Sequence, residues 1–172
     1  ILSRTRDLVM ETFGRSDKQV EDGMDISLCA IDVAAGEVTF AGANNPLWIV
    51  RSNEHSADAT GADRCLNEEE FHLLEFKGDK QPVGPYPKMS DFTDRVIPFF
   101  KGDILYLFSD GFSDQFGGEE GKKFMSARVK KELLKRAGVE LHEQELEIDE
   151  LYERWKGSQE QVDDVCMIAV KL

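Results

Sequence analysis

Residues 106–118 read YLFSDGFSDQFGG, the tail of an apolar run that begins at Ile104 and breaks off into two aspartates, Asp110 and Asp114, and three glycines. An uninterrupted apolar run such as ILYLFS predicts a strand buried on both faces. A single Asp or Gly suffices to bend a chain at a strand end, so the surplus of carboxylates asks for a partner elsewhere. The chain's end, QVDDVCMIAVKL, supplies one: Asp163 and Asp164 stand directly before a second strand rich in apolar and β-branched residues. If these two strands are antiparallel neighbours, the end of the first lies beside the start of the second and the carboxylates converge. The plainer alternative is a solvated turn at one place and acidic flanking residues at the other.

Working outward, LSRTRDLVMETF (2–13) places Leu2, Val9 and Phe13, with Leu8, near one helical face, with Gly14 as a stop. A polar connection, GRSDKQVEDG, leads to MDISLCAIDV, where Met24, Ile26, Leu28 and Ala30 alternate with Asp25, Ser27 and Cys29 as in a strand. AAGE then turns into EVTFAG, predicting a hairpin, and ANNPLWIVRS adds a strand after an Asn-Asn-Pro turn. Residues 53–70 are polar and predict a surface excursion. FHLLEF and FTDRVIPFF predict further strands, separated by KGDKQPVGPYPKMSD, whose prolines forbid regular structure. Beyond Gly118 the pattern turns helical. Val129, Leu133, Leu134 and Ala137 mark one helix, and Ile148, Leu151, Tyr152 and Trp155 mark a second, a stripe that fits core packing or a dimer contact. GGEEGKK lacks the spacing of a phosphate-binding loop and predicts a loop before a helix. Strands, then two helices, then a strand make an α+β domain dominated by antiparallel sheet.

At 172 residues and 41% hydrophobic content the chain has the size and core of one domain. Its net charge of −13, from 34 acidic against 21 basic residues, argues against nucleic acid or an anionic membrane as a partner. Cys29, Cys65 and Cys166 are odd in number and widely spaced, giving neither a disulfide framework nor a zinc site, which suits a reducing cytoplasm. His55, His72 and His142 share no motif and read as surface or packing residues.

Converging carboxylates repel one another unless a cation neutralises them. Mg²⁺ and Mn²⁺ prefer oxygen ligands and retain several waters, and a site so built can hold a phosphate and acidify a bound water. A calcium loop does not fit, since Phe112 and Gln115 stand where a ligand and a glycine are needed.

LYLFSDGFSDQFGG and QVDDVCMIAVKL, together with MDISLCAIDVAAGEVTFAGANNPLWIVR and GDKQPVG, resemble the SpoIIE-like branch of the bacterial metal-dependent PPM protein phosphatases, in the same order and over about residues 22–172. The resemblance implies an αββα architecture, a mainly antiparallel β-sandwich flanked by helices. It implies a centre of two Mn²⁺ or Mg²⁺ ions at one end, where a metal-bound water attacks phosphoserine or phosphothreonine. It carries ligand roles onto Asp110 and Asp163, supporting or weaker-metal roles onto Asp114 and Asp164, and the site turn onto Gly111. The family's upstream D-x-x-G-x-G motif has no counterpart: Asp7 is followed by LVM, Asp17 by KQV, and Asp22 and Asp25 lack the glycines. The chain is therefore expected to be the C-terminal part of a single phosphatase domain, residues 1–172, without its N-terminal strands and with weak metal binding alone. The implied partners are a phosphoprotein substrate, such as an anti-sigma-factor antagonist, and an upstream sensor or regulatory domain, with a homodimer also open. The competing reading is a phosphatase-like interaction or dimerisation module without catalysis.

Overall fold

The computed structural model describes residues 1–13, 22–58 and 61–172. They gather into two compact units, residues 1–47 with 76–99 and residues 48–75 with 100–172. The predicted class holds: the fold is mixed α+β, and its sheets are antiparallel.

The first unit is built on a three-stranded sheet ordered β1-β2-β6, from β1 (Ile26–Asp32), β2 (Glu37–Ala43) and β6 (Arg95–Pro98). The predicted hairpin is present, with Asp32 opposite Glu37. Asp32 shapes its turn: Oδ1 accepts from the amides of Ala34 and Ala35, and Gly36 takes the left-handed φ of 70° that closes it. Helix α1 (Leu2–Phe13) forms as expected, but its inner face differs from the predicted one. Leu2 and Arg6 are buried, whereas Leu8 and Phe13 are exposed. Arg6 can turn inward because its guanidinium donates to the Ser90 carbonyl at 2.5 Å and lies over the Phe92 ring. Leu2, Ala41, Ala43, Val83 and Phe92 form this unit's core, with Ile26 and Leu28 against it, while Met24 stays exposed. The expected stop at Gly14 and the polar connection up to residue 21 lie outside the described residues.

The second unit carries a five-stranded sheet ordered β10-β7-β3-β5-β4. Its strands are β3 (Leu47–Ser52), β4 (Arg64–Asn67), β5 (Phe71–Phe76), β7 (Ile104–Phe108) and β10 (Met167–Lys171). β4 falls within the stretch read as a surface excursion; it is an edge strand, paired from Arg64↔Glu75 to Asn67↔His72, which its polar composition hides. Asn53–Asp58 form a short 3-10 turn, and residues 59 and 60 of that stretch lie outside the described residues.

Helices α3 (Ser126–Lys135) and α4 (Leu141–Lys156) set Val129, Leu133, Ile148 and Tyr152 against Trp48, Leu73, Ile104 and Tyr106 in one core. Leu151 and Trp155 pack against the same core, so the aromatic stripe of α4 serves packing. Between β7 and α3 the chain is more structured than a loop: a one-turn helix α2 (Gly111–Asp114) precedes a hairpin of two-residue strands, β8 (Phe116–Gly117) and β9 (Lys122–Lys123). Buried charges are paired. Arg51 grips Asp103 through Nε and Nη2 at 2.8–3.1 Å. Lys130 of α3 reaches Glu75 of β5 at 2.8 Å and lies over the Trp48 ring. Among the described residues, no helix is long and apolar enough to cross a membrane.

Candidate functional site

The two acidic strand ends meet. β10 pairs with β7 antiparallel, in a register with Met167 opposite Phe108, which brings the turn after Phe108 against the turn before Met167. Ser109 staples them. Its backbone amide donates to the Cys166 carbonyl at 3.0 Å, its Oγ donates to the Asp164 carbonyl at 2.7 Å, and the same Oγ accepts from the Cys166 amide at 2.9 Å.

Gly111 completes the approach. A Cβ there would stand 2.9 Å from the Asp164 carbonyl carbon, nearer still to its oxygen, and 3.2 Å from Val165 Cγ2. Glycine is needed because another backbone passes through the space a side chain would fill. Asp110, exposed, begins α2: its carbonyl accepts from the Asp114 amide and from Ser113 Oγ, both at 2.9 Å.

Asp163 and Asp164 are also exposed. The Asp163 carboxylate accepts from the Asp164 amide at 2.7 Å, and its carbonyl accepts from Gln161 Nε2 at 2.8 Å. Asp114 takes a different partner, an ion pair to Lys123 Nζ of β9 at 2.8 Å, half exposed. The fold thus gathers the Asp110 and Asp163–Asp164 turns at one sheet end and ties Asp114 to the hairpin.

These groups are solvated carboxylates and carbonyls, with no imidazole or thiolate, a donor set matched to Mg²⁺ or Mn²⁺. Such ions are held through one or two carboxylates and keep their remaining waters. Among the described residues, no group of three or more His, Cys, Asp or Glu is arranged to hold a metal. The donors are of the chemical type a hard cation takes, and among the described residues they are fewer than a three-ligand cluster.

Sequence reasoning missed two residues here. Ser109 stood in the quoted motif without a role, although a hydroxyl beside a strand end is a ready hydrogen-bonding staple. Gln115, which enters the sequence reading only as the residue standing where a calcium loop needs a glycine, is fully buried. Beside the turns, Phe112, Tyr106, Ile148, Tyr152, Val165 and Met167 line much of a cleft of about 440 Å³. His142, Gln144, Glu145 and Asp149 also line it, so the cleft is walled by apolar and polar groups alike. Within it Tyr106 donates to Gln144 Oε1 at 2.6 Å, and burial raises that phenol's pKa far above its ordinary range.

The fold has known counterparts. The chain is similar to the SiaA-PP2C domain of Pseudomonas aeruginosa, with 26% identity and a TM-score of 0.79, over 99% of this chain and 59% of that one. It therefore spans about three fifths of that relative's length. Two structures of the phosphatase domain of the cell fate determinant SpoIIE from Bacillus subtilis, one presoaked with Mn, share the fold at 14% identity. Their TM-scores are 0.55 and 0.54, over 99% of this chain and 71% and 70% of theirs. No curated protein matches in sequence. The family described as Stage II sporulation protein E (SpoIIE) matches residues 1–172. From its first residue to its last, the chain belongs to the SpoIIE family, with the fold of the PP2C-type phosphatase domains.

Proposed function

We propose that the chain forms part of the catalytic domain of a metal-dependent protein phosphatase that hydrolyses phosphoserine or phosphothreonine in a bacterial signalling protein. The observation that carries this reading is the stapled juxtaposition of the Asp110 and Asp163–Asp164 turns at the paired ends of β7 and β10. Asp110 and Asp163 hold the cation, Mn²⁺ or Mg²⁺, and Asp164 supports them. When bound, the ion supplies a Lewis acid for a phosphoryl oxygen and acidifies water. Ser109 and Gly111 fix the spacing of the two turns. Asp114, paired to Lys123, orders the hairpin beside the site. A second ion, which the family resemblance implies, would take donors beyond these residues.

The substrate on this reading is a phosphoprotein of the anti-sigma-factor-antagonist type. It meets a cytoplasmic enzyme governed by an upstream sensor or regulatory domain. A second reading, a phosphatase-like module that binds or dimerises without hydrolysis, is favoured by the sparse donor set among the described residues.

One experiment separates the two. The protein is assayed for Mn²⁺-dependent phosphate release from phosphoserine protein, with Asp110→Asn and Asp163→Asn alongside. Catalysis predicts a loss of more than about 100-fold in each variant, beyond the ~10–100-fold cost of removing a group that only supports a ligand. No release by the parent protein favours the binding module. Release that both variants retain overturns the assignment of the site.

A further inference from the structure

Gln115 follows the one-turn helix after the Asp110 turn, and none of its surface is exposed. An amide in the interior must satisfy two donors and an acceptor oxygen or incur a desolvation cost. Gln115 satisfies all of them, and its side-chain partners come from three segments: β8, α4 and residues 160–162. Nε2 donates to the Phe116 carbonyl and to the Glu160 carbonyl, both at 2.9 Å. Oε1 accepts from Tyr152 of α4 at 3.0 Å and from the Val162 amide at 3.4 Å. Its backbone is equally engaged: the amide donates to the Gly111 carbonyl at 3.0 Å, and the carbonyl accepts from the Phe124 amide at 3.0 Å and Trp155 Nε1 at 3.1 Å.

Two of these bonds, to Glu160 and Val162, hold the segment that ends in Asp163 and Asp164. A third, to Gly111, holds the segment that begins at Asp110. Burial raises the Tyr152 phenol above its ordinary pKa, so its hydroxyl remains a donor at any physiological pH.

We infer that Gln115 is a positioning residue: its side chain holds the 160–164 segment against the Asp110 turn and thereby sets the distance between the carboxylates. Its metal consequence rests on the reading above; its hold on the loop does not. A glutamine suits the task because it alone among side chains of this length offers two donors and an acceptor at one uncharged end. Ser109 joins the turns through Asp164 and Cys166, and Gln115 joins them through residues 160 and 162, so neither turn pivots on a single anchor.

The test uses the whole chain with Gln115→Met, which keeps the volume and removes the side-chain bonds, and Tyr152→Phe, which removes one bond and leaves the packing. Hydrogen exchange and Mn²⁺ titration followed by electron paramagnetic resonance are the readouts, with Asp163→Asn as the reference. Gln115→Met should speed exchange of the 161–166 amides on the order of tenfold, leave α3 and β7 protected, and weaken Mn²⁺ binding about tenfold. Tyr152→Phe should show the same local pattern to a smaller degree, which keeps the test decisive if Gln115→Met does not fold.

Unchanged exchange at 161–166, or equal acceleration across α3 and β7, overturns the hold on the loop. Faster local exchange with parental Mn²⁺ affinity, where Asp163→Asn abolishes binding, overturns the positioning role and leaves the metal site standing. If Asp163→Asn itself binds Mn²⁺ like the parent, the metal reading fails, and the exchange data still decide whether Gln115 holds the loop.

Discussion

Gly111→Ala places a methyl where the Asp164 peptide runs. The new carbon would stand 2.9 Å from the Asp164 carbonyl carbon, whereas unstrained carbon pairs keep about 3.5 Å or more. One backbone must therefore move by roughly 0.6 Å from that contact alone. Neither is free to do so cheaply, because the Asp164 carbonyl is held by Ser109 Oγ and the neighbouring Cys166 amide by the same oxygen. Overpacking costs about 1–3 kcal/mol, and loosening the Ser109 bond adds about 1 kcal/mol. The expected loss is thus about 2–4 kcal/mol in urea unfolding followed by tryptophan fluorescence. The shift also moves the Asp163–Asp164 turn against the Asp110 turn, so Mn²⁺ binding should weaken on the order of tenfold.

Gly121→Ala is the control. Gly121 lies in the same unit with φ of 58° and open space around it, so alanine there meets only the backbone penalty of about 1–2 kcal/mol and leaves Mn²⁺ affinity unchanged. Gly111→Ala as stable as Gly121→Ala, with parental Mn²⁺ affinity, would refute the close-approach argument.

Other perturbations follow from the buried charges. Lys130→Met strands Glu75, whose remaining neighbours are Trp48 Nε1 at 3.3 Å and Arg64 at 3.8 Å. Removing one partner of such a pair should cost about 3–5 kcal/mol, and the double variant with Glu75→Leu should recover most of it; additive losses in urea unfolding would contradict this. His72, buried on β5 with Nδ1 against Asn53 Oδ1, has its pKa lowered first by burial and then by the nearby Arg51. The unfolded imidazole takes its proton near pH ~6.5, so the unfolded state binds more protons in acid. The stability linked to His72 is full above that pH and falls as the pH drops through the lowered folded value. Urea midpoints at pH 7.5 and 5.5 should differ less in His72→Gln than in the parent, and an identical pH slope would count against it.

The strand pair that builds the site was legible because its signal is local: apolar runs at 104–109 and 165–170, each with acidic residues at the end that pairing brings together. The 26–43 hairpin was legible for the same reason, alternation around a glycine turn. What escaped depends on contacts remote in sequence. The strands β8 and β9 are two residues long and have no period to detect. Arg6 is buried because Ser90 and Phe92 receive its guanidinium, while Leu8 and Phe13, apolar by type, face outward. Gln115 owes its burial to Tyr152 and Trp155, some forty positions on, which no local pattern announces. Lys130 and Glu75 lie on a helix and a strand remote in sequence, and only packing joins them.

The central claim is that Asp110 and Asp163 share one cation, and Mn²⁺ titration of the whole chain by electron paramagnetic resonance tests it most directly. Saturable binding is expected in the parent, with a loss of at least about tenfold in Asp110→Asn and in Asp163→Asn and a smaller loss in Asp164→Asn. Binding that both principal variants retain at the parental affinity would contradict it.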